Sequence, residues 1–337
     1  MSEIRLDRLH NNYVLIAPER LHRPSLGHHK SKNISTSLCP FCDGNEEFTP
    51  NEVFAIRENE ANASSWKTRV IPNLYKAVQI ELEDVSKREG MFESIPGVGA
   101  HEILIDSPSH ENDVSHLDAE SIENWLRTIV IRIDDLSRDR RLIYLSVFKN
   151  YGQNAGSTQE HPHTQLLALP IMPKNELIFL ARNKQYYKRH GRGIVEDIVY
   201  NEKLVAKRIL DEVGSFVAYC PYASAFPFEV IISTTKNISI LNKCTRNEIT
   251  DLSLLINKVF QMLNKQLGSF DYNLSFQMAP MNSNYETEEF MSSMEKAYWF
   301  NIRIIPRIYR IGGFEISTGI AINSIAPEEC AKLLRGD

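Results

Sequence analysis

The sequence predicts an α+β fold built from two tandem copies of one strand–helix–strand–strand unit, an antiparallel sheet with helices packed on one face. Three observations carry this. His101-Glu102-Ile103-Leu104-Ile105 reads as a strand and has a counterpart in Phe228-Glu229-Val230-Ile231-Ile232. A helix with one apolar stripe follows each strand. Glu102 and Glu229 are 127 residues apart, and so are the two helix starts, Asp118 and Thr245. Two copies are too few for a solenoid. The expected division is residues 1–172 and 173–337.

Taken in order, Tyr13 to Ile16 reads as a short strand ended by Ala17-Pro18. Glu19 to Pro24 is a proline-bounded loop carrying Arg20 and Arg23. Such a loop is either a solvated basic segment or a phosphate clamp, because guanidinium forks match phosphate oxygens. His28 to Ser37 is polar. Cys39-Pro40-Phe41-Cys42 has the spacing that lets two thiolates share one zinc ion, with a redox pair as the other reading. Val70-Ile71-Pro72-Asn73-Leu74-Tyr75 precedes a charged insertion over Glu81 to Gly99.

The first helix starts near Asp118 and presents Ile122, Trp125, Leu126, Ile129, Ile133 and Leu136 on one face. The second starts at Thr245, with Glu248 completing a capping box, and carries Leu252, Leu255, Ile256, Val259 and Leu263. Strands follow at Ile143–Phe148 and Tyr272–Phe276. Each half then ends on an apolar strand closed by proline, at Pro170 and Pro306.

The chemistry concentrates between the two central strands of the first half. Asn150 to Thr158 is small, polar and turn-forming, and its backbone amides can cradle phosphate oxygens. Glu160-His161-Pro162-His163-Thr164-Gln165 follows, and then the apolar run Leu166 to Pro170. Alternate residues of an extended segment share a face, so His163 and Gln165 reach one bound group together. In the second copy Trp299, Phe300, Asn301, Ile302 and Arg303 stand in place of the histidines.

Composition limits the partners. The chain has 337 residues, 42% hydrophobic and 24% charged, with a net charge of −5. That balance argues against a general nucleic-acid-binding surface. No apolar run reaches the eighteen or so residues of a membrane span, and Met1 to Arg5 has no apolar signal region. Five cysteines with one close pair suit a reducing cytoplasm better than a disulfide scaffold.

Loop, paired histidines, glutamine and apolar strand together resemble the histidine-triad superfamily. With Gln165 in place of a third histidine, and Asn150, Gly156 and Thr158 placed as they are, the motif resembles the galactose-1-phosphate uridylyltransferase branch, which includes ADP-glucose phosphorylases. The resemblance implies tandem histidine-triad-like units, a catalytic first half and a degenerate second half. It implies a nucleotidyltransferase that moves a nucleoside monophosphate between sugar 1-phosphates through a covalent nucleotidyl-His163. Gln165 would hydrogen-bond a phosphoryl oxygen. Arg20, Arg23, Asn73, Asn150, Gly156, Ser157 and Thr158 would contact the nucleotide sugar. Gly312, Phe314 and Glu315, in the segment Ile311–Gly319, would form a sugar-phosphate loop.

A zinc site of Cys39, Cys42, His110 and His161 is also implied, with His101 and His116 as rival ligands. Some relatives bind a second metal through histidines of the second half. No histidine lies between Phe228 and the C-terminus, so none is expected here. Leu74 follows Asn73 where uridylyltransferases often carry an acidic residue. Tyr309 and Ala321 replace the lysine and glutamine of the galactose enzymes. These departures bring in the alternative of a phosphorylase that uses inorganic phosphate as acceptor and an adenine nucleotide. An inactive nucleotide-binding scaffold is the alternative from another class. Homodimers are common in the family, though no interface is legible in the sequence.

Overall fold

The structure, a computed structural model, describes residues 2–18, 39–83, 85–110, 113–282 and 294–337. The two expected clamp residues Arg20 and Arg23 lie outside the described residues. The first half contributes β3 (Phe54–Arg57), β4 (Trp66–Pro72), β7 (Ala100–Ile105), helix α1 (Ala119–Leu136), β8 (Tyr144–Tyr151) and β9 (His163–Leu169). The second contributes β10 (Ile209–Val213), β11 (Phe216–Tyr219), β12 (Val230–Thr234), α4 (Arg246–Leu267), β13 (Tyr272–Gln277) and β14 (Asn301–Pro306). Among the described residues these strands form one ten-stranded sheet in the order β10-β11-β12-β14-β13-β8-β9-β7-β4-β3, with every neighbouring pair antiparallel. Read from either edge, each half runs first, second, third, fifth, fourth strand. The copies meet where β8 and β13 pair, Asn150 opposite Asn273.

The duplication is therefore larger than the sequence reading, since β3-β4 and β10-β11 belong to it as well. One alignment needs correcting. With Pro170 matched to Pro306, Leu166 matches Ile302. Leu166 pairs with Glu102, and Ile302 pairs with Ile232. The counterpart of Glu102 is thus Ile232 and not Glu229. The side chains agree, because Glu102 binds Arg132 of α1 whereas Glu229 binds Arg303 of β14.

The helices form as their stripes dictate. Asp118 caps α1 by accepting from the Ser121 amide at 2.8 Å, and Thr245 caps α4 in a box closed by Glu248. All six apolar positions of the α1 stripe are buried. α1 and α4 pack on each other and on one face of the sheet, around a core that includes Trp125, Leu166, Phe260 and Phe276. The other face is covered piecemeal. Over the second half lie α2 (Lys174–His190) and α3 (Ile194–Val205), packed through Phe179, Val195 and Val199 on Val217, Tyr219 and Ile231. Over the first half lie Cys39 and Phe41, on Trp66, Ile71, Ile103 and Ile105.

A small sheet of β1 (Glu3–Asp7), β2 (Asn12–Ile16) and β15 (Ala321–Asn323) joins the two ends of the described chain. The charged insertion carries a hairpin, β5 (Lys87–Glu89) with β6 (Phe92–Ser94). The segment Ile311–Gly319, read as a loop, contains a short helix, α5 (Gly313–Thr318), before α6 (Pro327–Arg335). Among the described residues no helix is long and apolar enough to cross a membrane.

Beneath β9 lies a fully buried charge cluster. Lys149 of β8 bridges Asp106 at 2.5 Å and Asp113 at 2.9 Å, and Tyr272 of the second half donates to Asp113 at 2.6 Å. Burial alone would lower the Lys149 pKa, but the two carboxylates outweigh it and the net shift is upward. Removing the cation strands two buried anions. Lys149→Met is expected to cost about 3–5 kcal/mol, against about 1 kcal/mol for loss of the helix cap in Thr245→Ala. Denaturant unfolding of both variants checks the ratio, and equal losses would contradict the assigned role of the cluster.

Candidate active site

Strand β9 positions His163 and Gln165 by alternation. Thr164, Leu166 and Ala168 are fully buried toward the helices. His163 and Gln165 face the other way, toward the layer that carries Cys39 and Phe41. Thr164 is anchored from behind: its hydroxyl donates to Asp106 at 2.7 Å and accepts from the Trp125 indole at 2.9 Å. The Lys149 ammonium donates to the His163 carbonyl at 3.3 Å. The backbone under His163 is thus held from β7, β8 and α1 together.

The two imidazoles have fixed and opposite proton positions. His163 Nδ1 lies 2.9 Å from the His161 carbonyl oxygen, which can only accept. The ring proton therefore sits on Nδ1 and the Nε2 lone pair is free. Burial pulls the His163 pKa below the usual imidazole value, so the neutral ring is favoured. His161 does the reverse. Its Nε2 donates to the Ser107 carbonyl at 2.9 Å, leaving the Nδ1 lone pair directed at the two cysteines. Burial lowers its pKa to about 4. Phe41 meets both rings edge-on, with centroids 6.1 and 5.8 Å away.

Cys39, Cys42, His110 and His161 converge so that their donor atoms all lie within 4.8 Å of one another. The sulfur–nitrogen separations are 3.6 Å from Cys39 to His161, 3.5 Å from Cys42 to His110 and 3.6 Å from Cys42 to His161. Two ligands of one tetrahedral zinc, one sulfur and one nitrogen, stand about 3.6 Å apart. The donor set and its edges fit a divalent cation, and the Ser107 carbonyl on the far nitrogen of His161 fits the outer support such a ligand needs. Without a cation the Cys42 thiol is pushed up to about 11 by burial and by neighbouring Cys39. The rival ligands are elsewhere: His116 contacts Ser115 at 2.9 Å, and His101 contacts Gln165.

The polar run after Asn150 forms a tight turn. Its amides at Ala155, Gly156 and Ser157 are engaged by the turn's own carbonyls, and the Ser157 hydroxyl donates to Gln159. Gly156 and Thr158 are exposed. The second half shapes this turn. Asp271 accepts from the Asn154 amide and side chain, and Asn273 donates to both Asn150 and the Ala155 carbonyl. Arg307 in turn donates to Asn273 at 3.2 Å. Gly152 has φ +84°, and a Cβ there would lie 2.1 Å from an Asp271 oxygen, so only glycine fits.

Asn73 lies beside Gln165 through His101. Its side chain is 3.1 Å from His101 Nε2, which is 3.0 Å from Gln165 Oε1. The C-terminal group is placed differently. Gly312 donates its amide to Glu315, and Phe314 is exposed. Glu315 lines a cavity of about 830 Å³ with Arg303, Tyr219, Tyr309 and Gly319. The described walls of that cavity include neither His163 nor Gln165 nor any residue of the polar turn.

Sequence reading missed Asp271, Asn273 and Arg307, which carry no motif of their own. It considered His101 only as a metal ligand. The signal for His101 lay in strand pairing, which places it diagonally across from Gln165 on the same face.

Family models place the chain. The galactose-1-phosphate uridyl transferase N-terminal domain matches residues 1–173, and the C-terminal domain of the same family matches residues 180–335. An ADP-glucose phosphorylase of Arabidopsis thaliana is 33% identical over 99% of this chain and 92% of its own length. A galactose-1-phosphate uridylyltransferase of Kluyveromyces lactis is 27% identical over 99% of this chain and 93% of its own. The crystal structure of an Arabidopsis thaliana ADP-glucose phosphorylase with bound ADP-glucose superposes with a TM-score of 0.83 at 30% identity, covering 100% of this chain and 99% of that one. The chain belongs to the galactose-1-phosphate uridyl transferase family and is a nucleotidyltransferase.

Proposed function

We propose that the enzyme transfers a nucleoside monophosphate from a nucleotide sugar to an acceptor phosphate through a covalent nucleotidyl-His163. The observation that carries this reading is the free Nε2 lone pair of a neutral, backbone-anchored imidazole. Nε2 attacks the α-phosphorus, the Nε2–P bond forms, and the bond to the sugar phosphate breaks. An oxygen of the acceptor phosphate then attacks the same phosphorus and the Nε2–P bond breaks. Nδ1 keeps its proton on the His161 carbonyl throughout, so the ring stays anchored in both steps. Splitting one transfer into two displacements lowers each barrier. Gln165 cannot supply a proton, but its amide can donate to a phosphoryl oxygen in the transition state. A phosphate leaving group needs no strong acid, which favours transfer between phosphates over hydrolysis.

Arg20, Arg23, Asn73, Asn150, Gly156, Ser157 and Thr158 are the proposed substrate contacts in residues 1–172, Gly312, Phe314 and Glu315 those in residues 173–337, and residues 173–337 form the half without a nucleophile. Hexose 1-phosphate is the acceptor in the uridylyltransferase reading. A second reading, an ADP-glucose type of phosphorylase with inorganic phosphate as acceptor, is favoured by the higher identity to the Arabidopsis relative, 33% against 27%. Cys39, Cys42, His110 and His161 would hold a zinc ion with no open position. Zinc would act there as a structural crosslink, tying the N-terminal knuckle to β9. The free cysteines suit a reducing cytoplasm.

Intact-protein mass after quenching with UDP-glucose or ADP-glucose should show added uridylate or adenylate, and the added mass names the base. His163→Ala should form no adduct and lose about 10⁴- to 10⁶-fold in kcat. A wild type that binds either donor tightly yet is never labelled would favour a scaffold. Elemental analysis of the purified enzyme should find one zinc per chain. Cys42→Ser should lose the metal, lower the thermal midpoint and reduce kcat, because the His161 carbonyl orients His163. Full zinc content in Cys42→Ser would contradict the ligand set.

A further inference from the structure

We propose that His101 is a positioning residue that fixes which end of the Gln165 amide faces the reacting phosphorus. The role rests on the nucleotidyl-transfer reading and deepens it. The argument is one of hydrogen-bond polarity. The Ala77 backbone amide, which can only donate, points at His101 Nδ1 at 3.1 Å. A neutral imidazole carries one ring proton, so Nδ1 accepts and the proton sits on Nε2. His101 Nε2 must then donate, and 3.0 Å away it meets Gln165 Oε1. With its oxygen held by His101, Gln165 keeps its NH2 group for another acceptor, on the strand face it shares with His163. That is the end a phosphoryl oxygen needs. The reversed amide would set a carbonyl oxygen against anionic oxygens.

The same polarity reaches Asn73. Its Oδ1 accepts from the Tyr75 amide at 2.9 Å, so its Nδ2 faces His101 Nε2 at 3.1 Å. Two donors cannot bond each other, and the Asn73 hydrogens remain for a ligand. His101 thus orients the Gln165 amide, while the Tyr75 amide orients Asn73 beside it. The strand geometry holds His101 there. Ile103 pairs with Gln165 and His101 with Leu167. The start of β7 is drawn tightly onto β9 at Gly99, where a Cβ would lie 2.3 Å from the Ala168 carbonyl oxygen.

The test is a double-mutant cycle on the full-length enzyme. Donor-to-acceptor transfer and adduct formation are measured with UDP-glucose and ADP-glucose. His101→Phe, which keeps a ring but no donor, should lower kcat about tenfold or more with donor KM within about twofold. In a Gln165→Ala background the same substitution should change kcat by less than about twofold, since its only target is gone. His101→Leu replaces His101→Phe if the latter does not fold, judged by its thermal midpoint. Equal losses in both backgrounds overturn the role. So does unchanged kcat in His101→Phe, or a rise in KM alone, which would assign His101 to donor binding through Asn73. If the wild type forms an adduct and the two effects are independent, only this role falls. If the wild type never forms an adduct, the nucleotidyl-transfer reading falls with it.

Discussion

Two imidazoles two residues apart use opposite ring nitrogens, and backbone carbonyls decide which. Ser107 fixes the proton of His161 on Nε2, and the carbonyl of His161 fixes the proton of His163 on Nδ1. A carbonyl cannot donate, so neither tautomer can invert without losing a buried hydrogen bond, at a cost of about 1–3 kcal/mol. One ring is therefore available to a metal and the other to an electrophile, from one short stretch of backbone. The chain of dependence is short: the Cys–Cys–His knuckle holds the His161 ring, and the His161 backbone holds the His163 ring. Behind both, Lys149, Asp106 and Thr164 fix the strand to its neighbours.

The second half has no histidine beyond Phe228, yet it is not a spectator. Asp271, Asn273 and Arg307 shape the polar turn that follows β8. Tyr272 completes the charge cluster beneath β9 through Asp113. Both contributions come from β13 or the segments beside it. Framing of this kind needs hydrogen bonds at a seam and not an exposed lone pair.

The parts of the fold legible in the sequence were those with a repeated pattern. Both long helices, their caps at Asp118 and Thr245, and the strands beside the motif follow from local periodicity and capping chemistry. The Cys–His cluster follows from spacing once the resemblance supplied His110 and His161. The outer strands β10 and β11 and helices α2 and α3 were not legible, since their sequences carry weak periodicity and depend on covering an already formed sheet face. The offset of 127 aligned the glutamates but not the ladder, in which the counterparts Glu102 and Ile232 are 130 residues apart. The role of His101 needed the register of β7 on β9, which no single-chain pattern reveals.

The seam between β8 and β13 has a further consequence. Either half on its own would expose a long strand edge with its amides and carbonyls unmatched, and such an edge invites another strand. The like-for-like cover for β8 is a strand running antiparallel to it at the same height, which is the place β13 occupies. A severed first half would thus be expected to pair with itself across that edge. The intact polypeptide can be viewed as a two-copy assembly whose linker has made its stoichiometry permanent, freeing one copy to diverge.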